Sequence, residues 1–292
     1  MLDILMEPFK YDYMIKAILV SSIVGSICAF LSVYLVLNGW SLMGDAISHS
    51  VIPGVAGAYA LNLPYSIGAF FAGILAALSM TLIRHISKLK EDVIIGFIFS
   101  TFFAIGLLLI SLNPTSINIQ SMIFGNILSI VDEDLLQVEI IVTISFFTLL
   151  FIWKDLLLVF FDINHAISIG LNPLKLKTIF FTLLSACTVA ALQAVGAILV
   201  IAMVITPGAI AYLLTDRFRH LFIIAVLIGF FSSFFGTYFS YFINCSIGGV
   251  IVSFQTLIFL FVFLFAPKYG LYFYRKRINS RLYMKKVRAR DI

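Results

Sequence analysis

The sequence predicts an all-α polytopic membrane protein, and three observations lead to this fold class. Of its 292 residues, 62% are hydrophobic and only 11% are charged, with a mean hydropathy of +1.12. Soluble domains carry about 45–50% apolar and about 25% charged residues. Apolar segments near the roughly 20 residues that a transmembrane helix needs recur along the chain, separated by short loops. We therefore expect one transmembrane domain over residues 1–267 and a basic tail over 268–292.

Nine apolar segments are predicted to cross the membrane. A tenth, Ile117–Ile130, is interrupted by polar residues and is predicted to be a short re-entrant helix, because irregular backbone at membrane depth must be covered by protein or water. The nine predicted spans are about Tyr13–Leu37, Gly44–Leu61, Tyr65–Ile83, Val93–Ser111, Val138–Phe160, Leu174–Leu192, Gly196–Leu214, Leu221–Ile243 and Gly249–Ala266.

The distribution of basic residues predicts the orientation of these spans. With nine spans and an external N-terminus, 17 of the 19 Lys and Arg residues lie on the same side as the C-terminus, nine of them in the tail. Cytoplasmic loops carry such an excess of basic residues, so we expect the C-terminus in the cytoplasm. A basic tail directly after a span is typical of contact with anionic lipid. Nucleic-acid binding is not expected, since no folded region accompanies the tail.

The second predicted span contains ionisable residues, which are costly in a membrane and indicate function. Asp45 and His49 are four residues apart and therefore share a helix face, with Ser48 beside them. A carboxylate oxygen and an imidazole nitrogen suit Mn²⁺, Fe²⁺ or Zn²⁺. The alternative is that Asp45 caps the helix and His49 is hydrogen-bonded within the bundle. Two ligands are too few for a complete site, so a second chain or water on the substrate would have to supply the others.

Two prolines are predicted to shape the pathway. Pro53 has no N–H for the carbonyl of His49, so the helix is expected to bend beside the metal-binding pair, as discontinuous helices do in transporters. Pro207 removes the partner of the Met203 carbonyl in the same way, although a simple packing kink is an equally good interpretation. A small-residue face for close helix contact is predicted at Ser50, Gly54 and Ala58.

The central loop 161–173 is too polar to cross the membrane and has the periodicity of a short amphipathic helix. One interpretation is a solvated connector. The other is a docking helix that transmits the movement of a partner. The sequence has no GxxxxGK[ST] motif, so any ATP hydrolysis is expected on another chain, and it has no HExxH or GxSxG motif. The apolar side of this helix is predicted to contain Ile163, Ala166, Ile167 and Gly170.

Several separate runs resemble the permeases of bacterial metal ABC importers (ABC-3 type), most nearly the manganese/iron group. The runs are GWSLMGDAISHSVIPGVAGAYAL, KEDVIIGFIFSTFFAIGL, NPTSINIQSMIFGNIL and AVGAILVIAMVITPGAIAYLL, and the resemblance covers nearly the whole chain. It implies the type II (vitamin-B12-type) importer architecture in the bacterial inner membrane. The partners it implies are a second permease chain, identical or paralogous, a cytoplasmic ABC ATPase dimer and an extracytoplasmic metal-binding protein.

The resemblance also assigns roles to particular residues. The family's Asp-x-x-Ser-His pattern matches Asp45, Ser48 and His49, and it implies that Asp45 and His49 coordinate the transported cation. It further implies a helix that couples to the ATPase over about Asp162–Gly170, including Ala166. Many zinc members have basic residues before the pattern, whereas this chain has Asn38, Gly39 and Trp40, which favours manganese or iron.

We therefore expect a permease that passes Mn²⁺ or Fe²⁺ inward by alternating access, with Zn²⁺ as a further candidate and with no tightly bound cofactor. A zinc importer permease is the main alternative. A proton-coupled secondary transporter would use Asp45 and His49 as a proton relay and would need no ATPase. A membrane-embedded enzyme is disfavoured, because no nucleophile or second catalytic cluster is present among the spans.

Overall fold

The computed structural model describes residues 6–61, 63, 65–87, 89–112, 132–266 and 270, and within these residues the chain is helical and forms no strand. A short 3₁₀ helix, Glu7–Lys10, precedes the bundle. The long helices are α1 (Asp12–Leu37), α2 (Ser41–Ala60), α3 (Tyr65–Ile86), α4 (Glu91–Leu112), α5 (Asp132–Phe161), α7 (Pro173–Val195), α8 (Ala197–Leu214), α9 (Phe218–Ile243) and α10 (Ile247–Phe265), with the short helix α6 (Ile163–Ser168) between α5 and α7.

Each of the nine predicted spans corresponds to one of the long helices. Among the described residues, seven helices are long and apolar enough to cross a membrane, and α2 and α8 are not among them. In α8 the described apolar stretch is limited to Leu199–Leu214. Helices α2 and α8 have 20 and 18 residues, which at about 1.5 Å per residue span roughly 30 and 27 Å, close to the hydrocarbon thickness. The predicted re-entrant segment 117–130 and the tail 268–292, apart from Gly270, lie outside the described residues.

Helix α1 forms the centre of the bundle and is buried along most of its length. It packs chiefly against α8 and α9, and it also contacts α5 and α7. Tyr34 is 1% exposed, and its hydroxyl donates a hydrogen bond to the carbonyl of Trp153 at 2.9 Å. Its ring contacts Phe160, Phe180 and Phe218. This aromatic cluster joins four helices at one level, so the bundle has a fixed core around which the outer helices are arranged.

Helices α2 and α3 approach closely through small residues. A β-carbon on Gly54 would collide with the backbone of Gly68, and one on Gly68 would collide with the backbone of Gly54. Ala72 and Ala58 complete the contact on either side. The predicted small-residue face of α2 is thus confirmed at Gly54 and Ala58. Such contacts allow helices to pack in lipid, where no hydrophobic force drives them together.

Pro207 lies inside α8, which continues through it to Leu214. The buried side chain of Ser32 on α1 lies beside this break: its Oγ donates to the carbonyl of Ile205 at 3.1 Å and accepts from the N–H of Gly208 at 3.0 Å. A neighbouring hydroxyl thus supplies hydrogen bonds where proline disturbs the helix ladder. The side-chain hydrogen bonds described beside Pro207 are thus made by α1.

Candidate metal site

The candidate metal site lies on the first half of α2. Nε2 of His49 is 3.3 Å from Oδ1 of Asp45, one helical turn away. The two side chains are partly accessible, at 29% for His49 and 37% for Asp45. The prediction that they stand together is therefore correct in its geometry. Neither side chain is therefore enclosed by the described residues.

Helix α4 forms the wall beside this pair. The ring of His49 contacts Phe99 and Phe103 edge-on, with centroid separations of 5.3 and 5.9 Å. The two phenyl rings are stacked on each other at 5.9 Å. They shield one side of the imidazole and restrict its rotation, so its nitrogen remains directed along the side of α2 that bears Asp45.

The proline in α2 also faces α4. A β-carbon on Gly106 would collide with Ile52 and would press on Pro53. Helix α2 runs from Ser41 to Ala60 without interruption at this proline. Asp45, His49 and Pro53 thus lie on one face of α2, and α4 packs against that face through a glycine at the level of the proline.

Within the described residues the candidate site is incomplete. Over the residues that the structure describes, no cluster of three or more His, Cys, Asp and Glu side chains is present. The pair supplies one hard oxygen and one borderline nitrogen and no sulfur, which suits Mn²⁺, Fe²⁺ or Zn²⁺. The remaining ligands for a bound ion would come from water, from a second chain or from the undescribed residues.

Two further residues are predicted to support the site. Ser48 is 1% exposed, and its hydroxyl donates to the carbonyl of Gly44 at 2.8 Å, so this bond serves the helix backbone. Pro207 lies on α8, and the next residue, Gly208, donates its N–H to Ser32 of α1. Neither residue is joined to Asp45 or His49 by a described hydrogen bond.

The predicted coupling segment contains the helix α6, which is capped at both ends. Asp162 caps its start, because Oδ1 accepts from the N–H of His165 at 2.9 Å. Gly170, with a φ of +87°, ends it, and the N–H of Leu171 donates to the carbonyl of Ala166 at 3.0 Å. This is the usual hydrogen-bond pattern of a glycine-terminated helix. The prediction of a short helix is confirmed over Ile163–Ser168.

The buried side of α6 is narrower than the sequence predicts. Ala166 is fully buried against the bundle, whereas Ile163 and Ile167 are 43% and 57% exposed. One small residue therefore anchors this helix and the larger apolar side chains remain accessible, because a six-residue helix touches its neighbours along a single line.

Sequence reasoning missed Phe99, Phe103 and Gly106. Their spacing of four and three residues places them on one face of α4, which is the signal that could have revealed them. The chain contains 30 Phe residues, so a pair of them four apart does not distinguish a site wall from a face in contact with lipid.

Seven helices of the described residues are long and apolar enough to cross a membrane, which indicates a polytopic membrane protein. The model of the ABC 3 transport family matches residues 10–266, and the chain belongs to this family. It is therefore a transmembrane permease subunit of an ATP-binding-cassette transporter, as the resemblance predicts.

The relatives agree with this assignment. The chain is 69% identical over 283 residues to the chelated iron transport system membrane protein YfeC of Yersinia pestis, covering 96% of each chain. It is 47% identical over 270 residues to the manganese transport system membrane protein MntB of Synechocystis sp., covering 91% of this chain and 87% of the relative. A solved structure, PsaBC from Streptococcus pneumoniae in complex with Fab, matches with a TM-score of 0.81 at 33% identity, covering 92% of this chain and 98% of the other. The predicted fold class is confirmed.

Proposed function

We propose that this permease carries Mn²⁺ or Fe²⁺ into the cytoplasm, with Asp45 and His49 as transient ligands of the ion. The observation that supports this most directly is the contact of 3.3 Å between the two side chains on α2, both partly accessible. The names of the iron and manganese relatives favour the same two metals. Nothing in those names favours zinc, which remains the alternative substrate.

An incomplete site suits transport better than storage. A closed shell of four protein ligands holds an ion tightly, whereas conduction requires an ion to bind and then to leave. With two ligands from the described part of the chain, exchange of the others is enough to receive and release the ion. A proton relay would need the same two side chains, but membership of an ABC family favours energy from ATP.

The partners we propose are a second permease chain, identical or paralogous, two ABC ATPases and an extracytoplasmic metal-binding protein. The ATPase would bind to α6, since this helix is exposed except at Ala166. The location we propose is a bacterial inner membrane, with this end of the bundle in the cytoplasm and the N-terminus outside. The basic residues at the ends of α3, α5 and α7 favour this orientation. No tightly bound cofactor and no nucleic acid are part of the proposal.

Uptake of radiolabelled metal tests this function. Cells that lack the chain are compared with the same cells complemented by the wild-type sequence, each with ⁵⁴Mn²⁺, ⁵⁵Fe²⁺ and ⁶⁵Zn²⁺. We expect complementation to restore manganese or iron uptake. Unchanged uptake of all three metals on deletion would refute the transport of metal, and restoration of zinc alone would replace the proposed substrates.

Asp162→Ala is expected to reduce uptake by roughly fivefold, because loss of a helix cap costs about 1 kcal/mol and a six-residue helix has little stability of its own. Asp162→Asn is the matched control, since asparagine caps equally well and should retain uptake. Both variants are compared at equal membrane abundance. Equal loss in the two variants would mean that the charge of Asp162, not its cap, is required.

A further inference from the structure

A large cavity lies between α3, α4, α6 and α7, on the side of the bundle that bears the coupling helix. Its volume is about 870 Å³, at the upper end of the range for small-molecule sites in proteins. Most of its wall is apolar. Leu75, Leu78 and Leu82 of α3 line one side and are 59%, 43% and 61% exposed. Ile163 and Ile167 of α6 line another.

Two cationic side chains lie in the same wall. Arg84, near the end of α3, and Lys177, in the second turn of α7, both line the cavity. The guanidinium carbon of Arg84 is 4.7 Å from the centre of the Trp40 ring, which fixes this charge at the wall. The described lining contains no Asp or Glu. Both cationic side chains also have interactions of their own within the chain. With them, the cavity combines an apolar body with a cationic edge.

This cavity is not suited to the metal ion. Two cations would repel a divalent ion, and the described lining contains no carboxylate or imidazole to bind it. Met43 of α2 lines the cavity, and it precedes Asp45 by two residues, which is a rotation of about 200° around the helix. The cavity and the Asp45–His49 pair thus lie on opposite faces of α2.

We propose that the cavity is a binding site for an anionic phospholipid of the cytoplasmic leaflet. The phosphate lies against Arg84 and Lys177, and the acyl chains occupy the groove formed by the leucines of α3. Basic pockets between transmembrane helices on the cytoplasmic side bind anionic headgroups in this way. The charge at the edge selects an anionic lipid over a zwitterionic one, and the apolar wall selects a lipid over free phosphate.

The lipid would also touch the coupling helix. Ile163 and Ile167 extend from α6 into the same cavity while Ala166 anchors the helix to the bundle. A bound acyl chain therefore fills the space between α6 and α3 that the protein leaves open. The lipid then contacts the side of α6 that lines the cavity. The anionic lipid content of the membrane would therefore influence the position of α6.

Native mass spectrometry of the purified transporter, with the full-length chain and its subunits, tests this site. Palmitoyl-oleoyl phosphatidylglycerol, the matching phosphatidylcholine and inorganic phosphate are titrated separately. We expect phosphatidylglycerol to bind about tenfold more tightly than phosphatidylcholine, with no binding of phosphate alone. Arg84→Gln/Lys177→Gln should remove the preference, whereas Arg217→Gln/Arg219→Gln, two exposed basic residues on the same side and outside the cavity, should retain it.

Leu78→Trp provides a second variant that keeps both charges and fills the groove, and it should weaken phosphatidylglycerol binding by a similar factor. The proposal is overturned if the Arg84/Lys177 variant keeps its preference, if the Arg217/Arg219 control loses it equally, or if Leu78→Trp has no effect. Absence of lipid from the assembled transporter would also overturn it, because another subunit would then fill the groove. Metal uptake is not part of this readout, so the result is independent of the proposed substrate.

Discussion

Asp45→Asn and His49→Ala should each reduce metal uptake by about 100-fold, the largest functional effect that we expect from a single substitution. The asparagine keeps the size and shape of the side chain but replaces the carboxylate by a neutral amide, which is a much weaker ligand for Mn²⁺ or Fe²⁺. The alanine removes the imidazole nitrogen that stands 3.3 Å from Asp45. Uptake of ⁵⁴Mn²⁺ and ⁵⁵Fe²⁺ at equal membrane abundance measures both effects.

Two matched controls separate this role from general damage. Glu139→Gln makes the same change from acid to amide at an exposed position of α5, and Ser48→Ala removes a hydroxyl that bonds only its own helix backbone among the described contacts. Both should keep uptake within about twofold of wild type, because changes away from such features alter stability little. If Asp45→Asn transported as well as Glu139→Gln, the assignment of Asp45 as a ligand would be wrong.

Gly54→Leu should cause the largest loss of stability, at about 3 kcal/mol or more, because the new side chain would meet the backbone of Gly68 and not a flexible side chain that could move aside. Helices α2 and α3 would be forced apart, and the Asp45–His49 pair would be displaced with α2. Thermal unfolding of the purified chain, followed by size-exclusion chromatography, gives the measurement.

Gly57→Leu is the control for this change on the same helix. Within the described part of the chain, a β-carbon at Gly57 has no heavy atom within 4 Å. The identical substitution three residues away should therefore leave the melting temperature nearly unchanged. Equal destabilisation by both variants would indicate that leucine harms α2 generally and that the Gly54–Gly68 contact has no special importance.

The spans could be predicted because hydrophobicity alone determines which segments lie in lipid, and each predicted segment overlaps one long helix. The boundaries were less accurate. The predicted span Val138–Phe160 begins six residues late, since α5 starts at Asp132. The three acids at this start end the apolar pattern but do not end the helix, because acidic residues are favourable in a first helical turn.

The contact between Asp45 and His49 could be predicted because a separation of four residues determines its geometry within one helix. The wall formed by Phe99, Phe103 and Gly106 could not be predicted, since it depends on how α4 packs against α2. The same holds for Ser32, whose hydrogen bonds reach residues more than 170 positions away. The exposure of Ile163 and Ile167 likewise could not be predicted. It follows from the open space beside α6, which the periodicity of the sequence does not indicate.

Because α6 is capped at both ends, it is ordered before any subunit binds to it. Ordering a flexible backbone costs about 1–2 kcal/mol of conformational entropy per residue, so a disordered loop of this length would cancel much of the affinity of any subunit that docks on it. Here Asp162 and Gly170 hold the six residues in shape beforehand. The proposed ATPase would therefore bind α6 without the cost of ordering it, and a displacement of α6 would be transmitted to the bundle with little change within the helix.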